Sequence, residues 1–98
     1  MDLREFKKLL TVKRFFQFEI FCNNGNRFGV VKFEYIYHGV SDYFEAYSNT
    51  GYKNTVEVFA QIRYESIKKI SDPVEQGYCK TVEVFTTYGQ MIRIFYRD

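Results

Sequence analysis

A period of two runs through most of this chain after Lys13, and it limits the fold more than any other feature. Val56, Val58, Ala60, Ile62 and Tyr64 alternate with Glu57, Phe59, Gln61, Arg63 and Glu65. A helical stripe fits these positions worse, because Arg63 would fall on it. A period of two sends successive side chains to opposite faces of a strand. The same pattern sets Phe16, Phe18, Ile20 and Cys22 against Phe15, Gln17, Glu19 and Phe21. It then sets Val31, Phe33, Tyr35 and Tyr37 against Phe28, Val30, Lys32, Glu34 and Ile36 in a return strand running from Arg27 to about His38. A further strand is expected near Tyr43 to Ser48. Val82, Val84 and Thr86 oppose Glu83, Phe85 and Thr87, and Ile92, Ile94 and Tyr96 oppose Met91, Arg93 and Phe95 in a C-terminal hairpin.

The connections are short and rich in turn formers. Asn23-Asn24-Gly25-Asn26 supplies residues that tolerate positive φ, as a tight primed hairpin turn requires. His38 to Asp42, Asn49-Thr50-Gly51 and Tyr88-Gly89-Gln90 read as further reversals. Gly29, inside a strand, marks a bulge or sharp bend. Ser66 to Ile70 either continues a strand or makes one helical turn before Asp72-Pro73 ends it, and Val74 to Gly77 reads as loop. None of these links is long enough for a crossover helix, so the sheet is expected to be antiparallel.

Only the N-terminus carries a helical period. Asp2 can cap a helix of about two turns in which Leu3, Phe6 and Leu10 share a stripe while Arg4, Lys7 and Lys8 face away. The expected fold is therefore mostly β (α+β by count). It is a single domain over residues 1–98, with a short N-terminal helix and about six antiparallel strands in a strongly curled sheet or small barrel.

The phrase GYKNTVEVF at 51–59 recurs as GYCKTVEVF at 77–85. Two copies are too few for a stacked repeat, and the sequences diverge immediately afterwards. The shared phrase reads as two strand starts built alike, with Val-x-Val inward and the phenylalanines Phe59 and Phe85 outward.

Composition narrows the function classes. Eleven Phe and nine Tyr give ample apolar surface for a core in a chain of 98 residues. A net charge of +2 with mixed signs does not suit a polyelectrolyte binder. MDLREFKK carries charges where a signal peptide needs an apolar run, and no later stretch is long enough to span a membrane, so a cytoplasmic protein with no membrane partner is expected. Two cysteines and one histidine are too few for a tetrahedral zinc site, so no metal and no cofactor are expected. Cys22 and Cys79 read as reduced thiols, because no secretion signal accompanies them.

The helix, the strand pair around a glycine-bearing turn and the segment Ile62-Arg63-Tyr64-Glu65-Ser66-Ile67-Lys68-Lys69-Ile70 together resemble the Sm-like small barrels. Their last two strands carry an Ile-Arg-Gly segment followed by spaced isoleucines. The resemblance implies a small-barrel architecture, and it implies for Arg63 the arginine that helps hold an RNA base. Tyr64 stands where that family has glycine, and the residues after Asp72 are additional.

No catalytic constellation stands out. His38 lies near Ser41 and Asp42, and either cysteine could approach it, but no third orienting residue sits in a recognisable context. A non-enzymatic protein is expected. Lys7, Lys8, Lys13 and Arg14 lead directly into Phe15, Phe16, Phe18 and Phe21. Cations beside aromatic platforms are how single-stranded nucleic acid is held, and this gives an alternative function. The leading expectation is recognition of an unidentified protein partner by aromatics on the polar side of strands, with Phe59, Phe85, Phe15, Phe21 and Arg63 as contact residues. In size and composition the chain looks like the accessory proteins of phages and mobile elements that inhibit a host or defence protein by covering its surface. An exposed edge strand bearing aromatics also suits a homodimer.

Overall fold

The helix forms where its cap and stripe place it, and runs longer than two turns. In the computed structural model, which describes residues 1–22, 25–32, 35–37, 42–49 and 56–97, α1 spans Leu3–Val12. The Asp2 carboxylate accepts from the Glu5 backbone N–H at 2.8 Å. That hydrogen bond holds the Asp2 pKa below its usual value. Phe6 and Leu10 are buried and Leu3 is half-buried, while Lys7 and Lys8 stay exposed.

Among the described residues the chain forms nine strands: β1 (Arg14–Phe21), β2 (Arg27–Lys32), β3 (Tyr35–Tyr37), β4 (Tyr43–Asn49), β5 (Val56–Arg63), β6 (Ile67–Ile70), β7 (Val74–Gln76), β8 (Cys79–Thr86) and β9 (Met91–Arg97). Among the described residues all pairings are antiparallel, as the short links require. They build two sheets in place of the expected single curled sheet or barrel. One has the order β2-β1-β9-β8-β6 with β7 also on β8, and the other has β3-β4-β5. Among the described residues neither sheet is closed or strongly curled. β2 and β3 are neighbours in the chain but lie in different sheets. β5 and β6 are likewise divided, by a single 3-10 turn at Tyr64–Ser66. Both readings of the Ser66 region thus hold in part. Val74 to Gln76, expected as loop, is an edge strand.

Glycine enables the reversals. β7 and β8 join through the two-residue turn Gly77-Tyr78, with Gln76 opposite Cys79 and Gly77 at φ +68°. At the β8–β9 link Thr86 N–H donates to Gln90 O at 2.9 Å, and Gly89 has φ +88°. The β1–β2 link repeats this pattern, with Cys22 N–H donating to Asn26 O at 3.0 Å and Gly25 at φ +82°. The β8–β9 link is thus a three-residue loop closed by a left-handed glycine.

Residues from α1 and both sheets share one core. Phe44 of β4 lies at its centre, edge-on to Phe6 at 5.5 Å and to Phe18 at 6.4 Å. Val82, Val84, Ile92, Ile94 and Tyr96 point into it, as the alternation requires. Phe15 joins them, contrary to its expected outward placement. In the β1–β9 register Phe15 faces Tyr96 and Gln17 faces Phe95, so Phe16 is an extra residue. That bulge reverses the phase of β1, putting Phe15, Phe18 and Ile20 on the core side and Phe16 on the other. A second bulge falls beside Gly29, where Ile20 faces Gly29 but Phe21 faces Arg27.

Candidate functional site

The face of the larger sheet turned away from the core is where the outward-facing residues of β1, β9 and β8 meet. Across β1, β9 and β8 the register sets Phe21, Met91 and Phe85 in one row, Glu19, Arg93 and Glu83 in the next, and Gln17, Phe95 and Thr81 in a third. Phe16, Phe21, Phe85, Met91 and Phe95 are all half-buried.

The middle row is a chain of charges. Arg27 Nη1 donates to Glu19 Oε2 at 2.6 Å. Glu19 Oε1 lies 3.6 Å from Arg93 Nη1, and Arg93 Nη2 donates to Glu83 Oε2 at 3.1 Å. Glu19 is only 7% exposed. A carboxylate withdrawn this far from water needs opposed charge, and the two arginines provide it. The Arg93 guanidinium also lies 5.0 Å from the ring centroid of Phe21. Phe21 is thus held between the charge row and the end of the sheet. On the far side, Lys69 Nζ sits 5.8 Å over Phe85.

Beyond Phe21, Met91 and Phe85 the β1–β2 and β8–β9 loops come together. They leave a groove of about 330 Å³ lined by these three side chains with Cys22, Gly25, Lys68, Thr86, Gly89 and Gln90. Its floor is aromatic and aliphatic and one wall is cationic.

The sequence-predicted residues separate. Phe21 and Phe85 are brought together, with Met91 between them in register. Phe15 is 3% exposed against Tyr96 and cannot contact a partner. Phe59 belongs to β5 at a bulge, since Ala46 faces Ala60 and Tyr47 faces Val58; its side chain lies outside the described residues. Arg63 ends β5 in the other sheet, exposed and paired with Glu65 at 3.2 Å.

The basic cluster is also divided. Lys7 Nζ covers the Tyr64 ring at 4.4 Å, Lys8 is exposed on the helix, and Lys13 and Arg14 lie at the helix exit. Of the aromatics that follow, Phe15 and Phe18 are core, and Phe16 and Phe21 face outward.

Cys22 lies at the groove and Cys79 at the opposite end of β8, about 20 Å away at the rise of a strand. Both are free thiols, and that separation excludes a bridge between them. His38 and Ser41 lie outside the described residues. Among the described residues no group of His, Cys, Asp and Glu could hold a metal, and no helix is long and apolar enough to cross a membrane.

Sequence reasoning missed the charge row and the role of Phe16. The signal for the charge row was present, since Glu19, Glu83 and Arg93 all sit on polar phases of strands. Only the register between strands brings them together. Compared with protein-family models, curated proteins and solved structures, the chain matches none.

Proposed function

We propose that this is a small non-enzymatic interaction protein that binds a protein partner through the groove end of its larger sheet. The observation that carries this reading is the row Phe21–Met91–Phe85. These are three large side chains aligned across three strands, half-buried on the outer face and set beside a groove. Partner interfaces concentrate their energy in such aromatic and methionine anchors, surrounded by charge. The ion pairs behind the row fix Phe21 and Arg93 before binding, which lowers the ordering cost of association. Lys68 on the wall and Lys69 over Phe85 favour a partner segment that places carboxylates next to an apolar side chain. Such a surface suits a cytoplasmic inhibitor of the phage or mobile-element kind, which acts by covering a site on its target.

The test replaces Met91 with a photo-crosslinking residue and captures the partner from the native host. Phe21→Ser and Phe85→Ser are expected to abolish the crosslinked species while lowering the thermal midpoint by no more than about 10 °C. Phe16→Ser, at the other end of the face, is expected to leave it intact. Retention of the crosslink in both groove variants would overturn the reading.

A further inference from the structure

The end of the outer face opposite the groove presents a different chemistry. Arg14 and Arg97 are directly opposed on β1 and β9, and both are exposed. Like charges so placed repel one another. Among the described residues neither is paired with a carboxylate; Asp98, which follows Arg97, lies outside them.

Arg97 is held by rings instead. Its guanidinium carbon is 4.7 Å from the Phe16 centroid and 5.7 Å from the Tyr78 centroid. Phe16 is in turn backed by Phe95 at 6.2 Å. A planar cation in contact with two aromatic rings keeps its orientation while its N–H groups remain able to donate. Tyr78 is the second residue of the β7–β8 turn and is 88% exposed. A ring so exposed adds nothing to the core, and the side turned from Arg97 is open to solvent. Beside it a shallow groove of about 150 Å³ runs between Glu75, Tyr78, Lys80 and Arg97. Glu75 faces Lys80 in the β7–β8 register, and among the described residues it forms no ion pair with Arg14 or Arg97.

We propose that Arg14, Arg97 and Tyr78 form a binding site for single-stranded nucleic acid, with phosphates at the two guanidinium groups and an unpaired base on the open face of Tyr78. Two opposed arginines call for an anion with more than one charged oxygen group, which a phosphodiester backbone supplies. An acidic peptide would also neutralise them but would leave the exposed ring unused. A duplex keeps its base faces stacked inside, whereas a single strand offers them. Arg14 and the adjacent Phe16 are legible in the sequence; Arg97 is added by the β1–β9 register and Tyr78 by its contact with Arg97. The site lies about 20 Å along the strands from the Phe21–Phe85 groove, so it stands independently of the protein-binding reading.

The experiment is a fluorescence-anisotropy titration of the full chain with labelled oligothymidine and oligouridine over a range of salt. The arms for comparison are a duplex of the same length and polyglutamate of the same charge. The expected result is binding to either single strand whose log affinity falls with log salt at a slope of about −1.4, the value for two phosphates. Arg14→Gln and Arg97→Gln should each flatten that slope by about 0.7. Tyr78→Ala should weaken binding about tenfold, with Tyr78→Phe close to wild type. Tyr88→Ala, an exposed ring at the β8–β9 turn that belongs to neither site, should change nothing. The proposal is overturned if no single strand binds at low salt, if duplex or polyglutamate binds as tightly, or if Tyr78→Ala binds like wild type. Because Tyr78 is outside the core, circular dichroism of that variant should match wild type. The wild-type slope and the comparison arms decide the matter without any variant.

Discussion

Phe15 and Tyr96 face one another across β1 and β9 with ring centroids 5.0 Å apart, both almost entirely buried. Phe85, which has the same outward phase in the sequence, stays half-buried on the opposite face. Truncation should therefore separate the two. Phe15→Ala should cost about 3–5 kcal/mol in urea unfolding, as for other core phenylalanines, and Phe85→Ala about 1 kcal/mol. Equal losses would mean that the outer face is covered.

Glu19 supports the outer face through two arginines. Glu19→Gln should destabilise by about 1–2 kcal/mol, less than the rupture of a fully buried pair, because the Arg27 side chain is 56% exposed and can return to water. A double-mutant cycle with Arg27→Ala should give a coupling of about 1 kcal/mol. Zero coupling would make the Arg27 contact incidental.

Tyr64 is 7% exposed, and its hydroxyl has no hydrogen-bond partner among the described residues. Burial pushes its pKa from 10.0 up to about 12. The folded protein therefore holds this proton where the unfolded chain releases it. The contribution to stability is complete below pH 10.0 and is lost as pH rises towards about 12. Tyr64→Phe should remove that alkaline loss, delete the last step in tyrosinate absorbance and cost no more than about 1 kcal/mol at neutral pH. A marked loss at neutral pH would reveal a partner for the hydroxyl.

Gly25 tests the loop design. Nothing lies within 4 Å of a Cβ added there, so Gly25→Ala meets no obstacle except its φ of +82°. That conformation alone should cost about 1 kcal/mol by thermal unfolding, and Gly25→Asn less, since Asn enters the left-handed region more readily. A neutral Gly25→Ala would show that the loop relaxes.

Local signals carried much of the fold. The Asp2 cap with the Phe6 and Leu10 stripe specified α1, and the uninterrupted alternation of Val82 to Tyr96 specified the C-terminal hairpin and its inward face. Phe15 was misplaced because a bulge inserts one residue and inverts the phase before it, and Phe16 looks in sequence like any other strand residue. β7 was missed because three exposed residues hold too little pattern to count. The division into two sheets depends on where β2 gives way to β3 and β5 to β6, which long-range packing decides. For the groove, Phe21 and Phe85 were legible one strand at a time, whereas their alignment through Met91 needed the register.

β9 lies between β1 and β8, the two strands that flank the centre of the larger sheet. β1 therefore has no partner on that side until the far end of the chain reaches it. Closing so long a loop is entropically costly, so folding is expected to be slow for a chain of this size. Until closure, the Phe-rich β1 edge stands open and able to pair with other chains, so yield on refolding should fall with protein concentration more steeply than native stability alone would suggest.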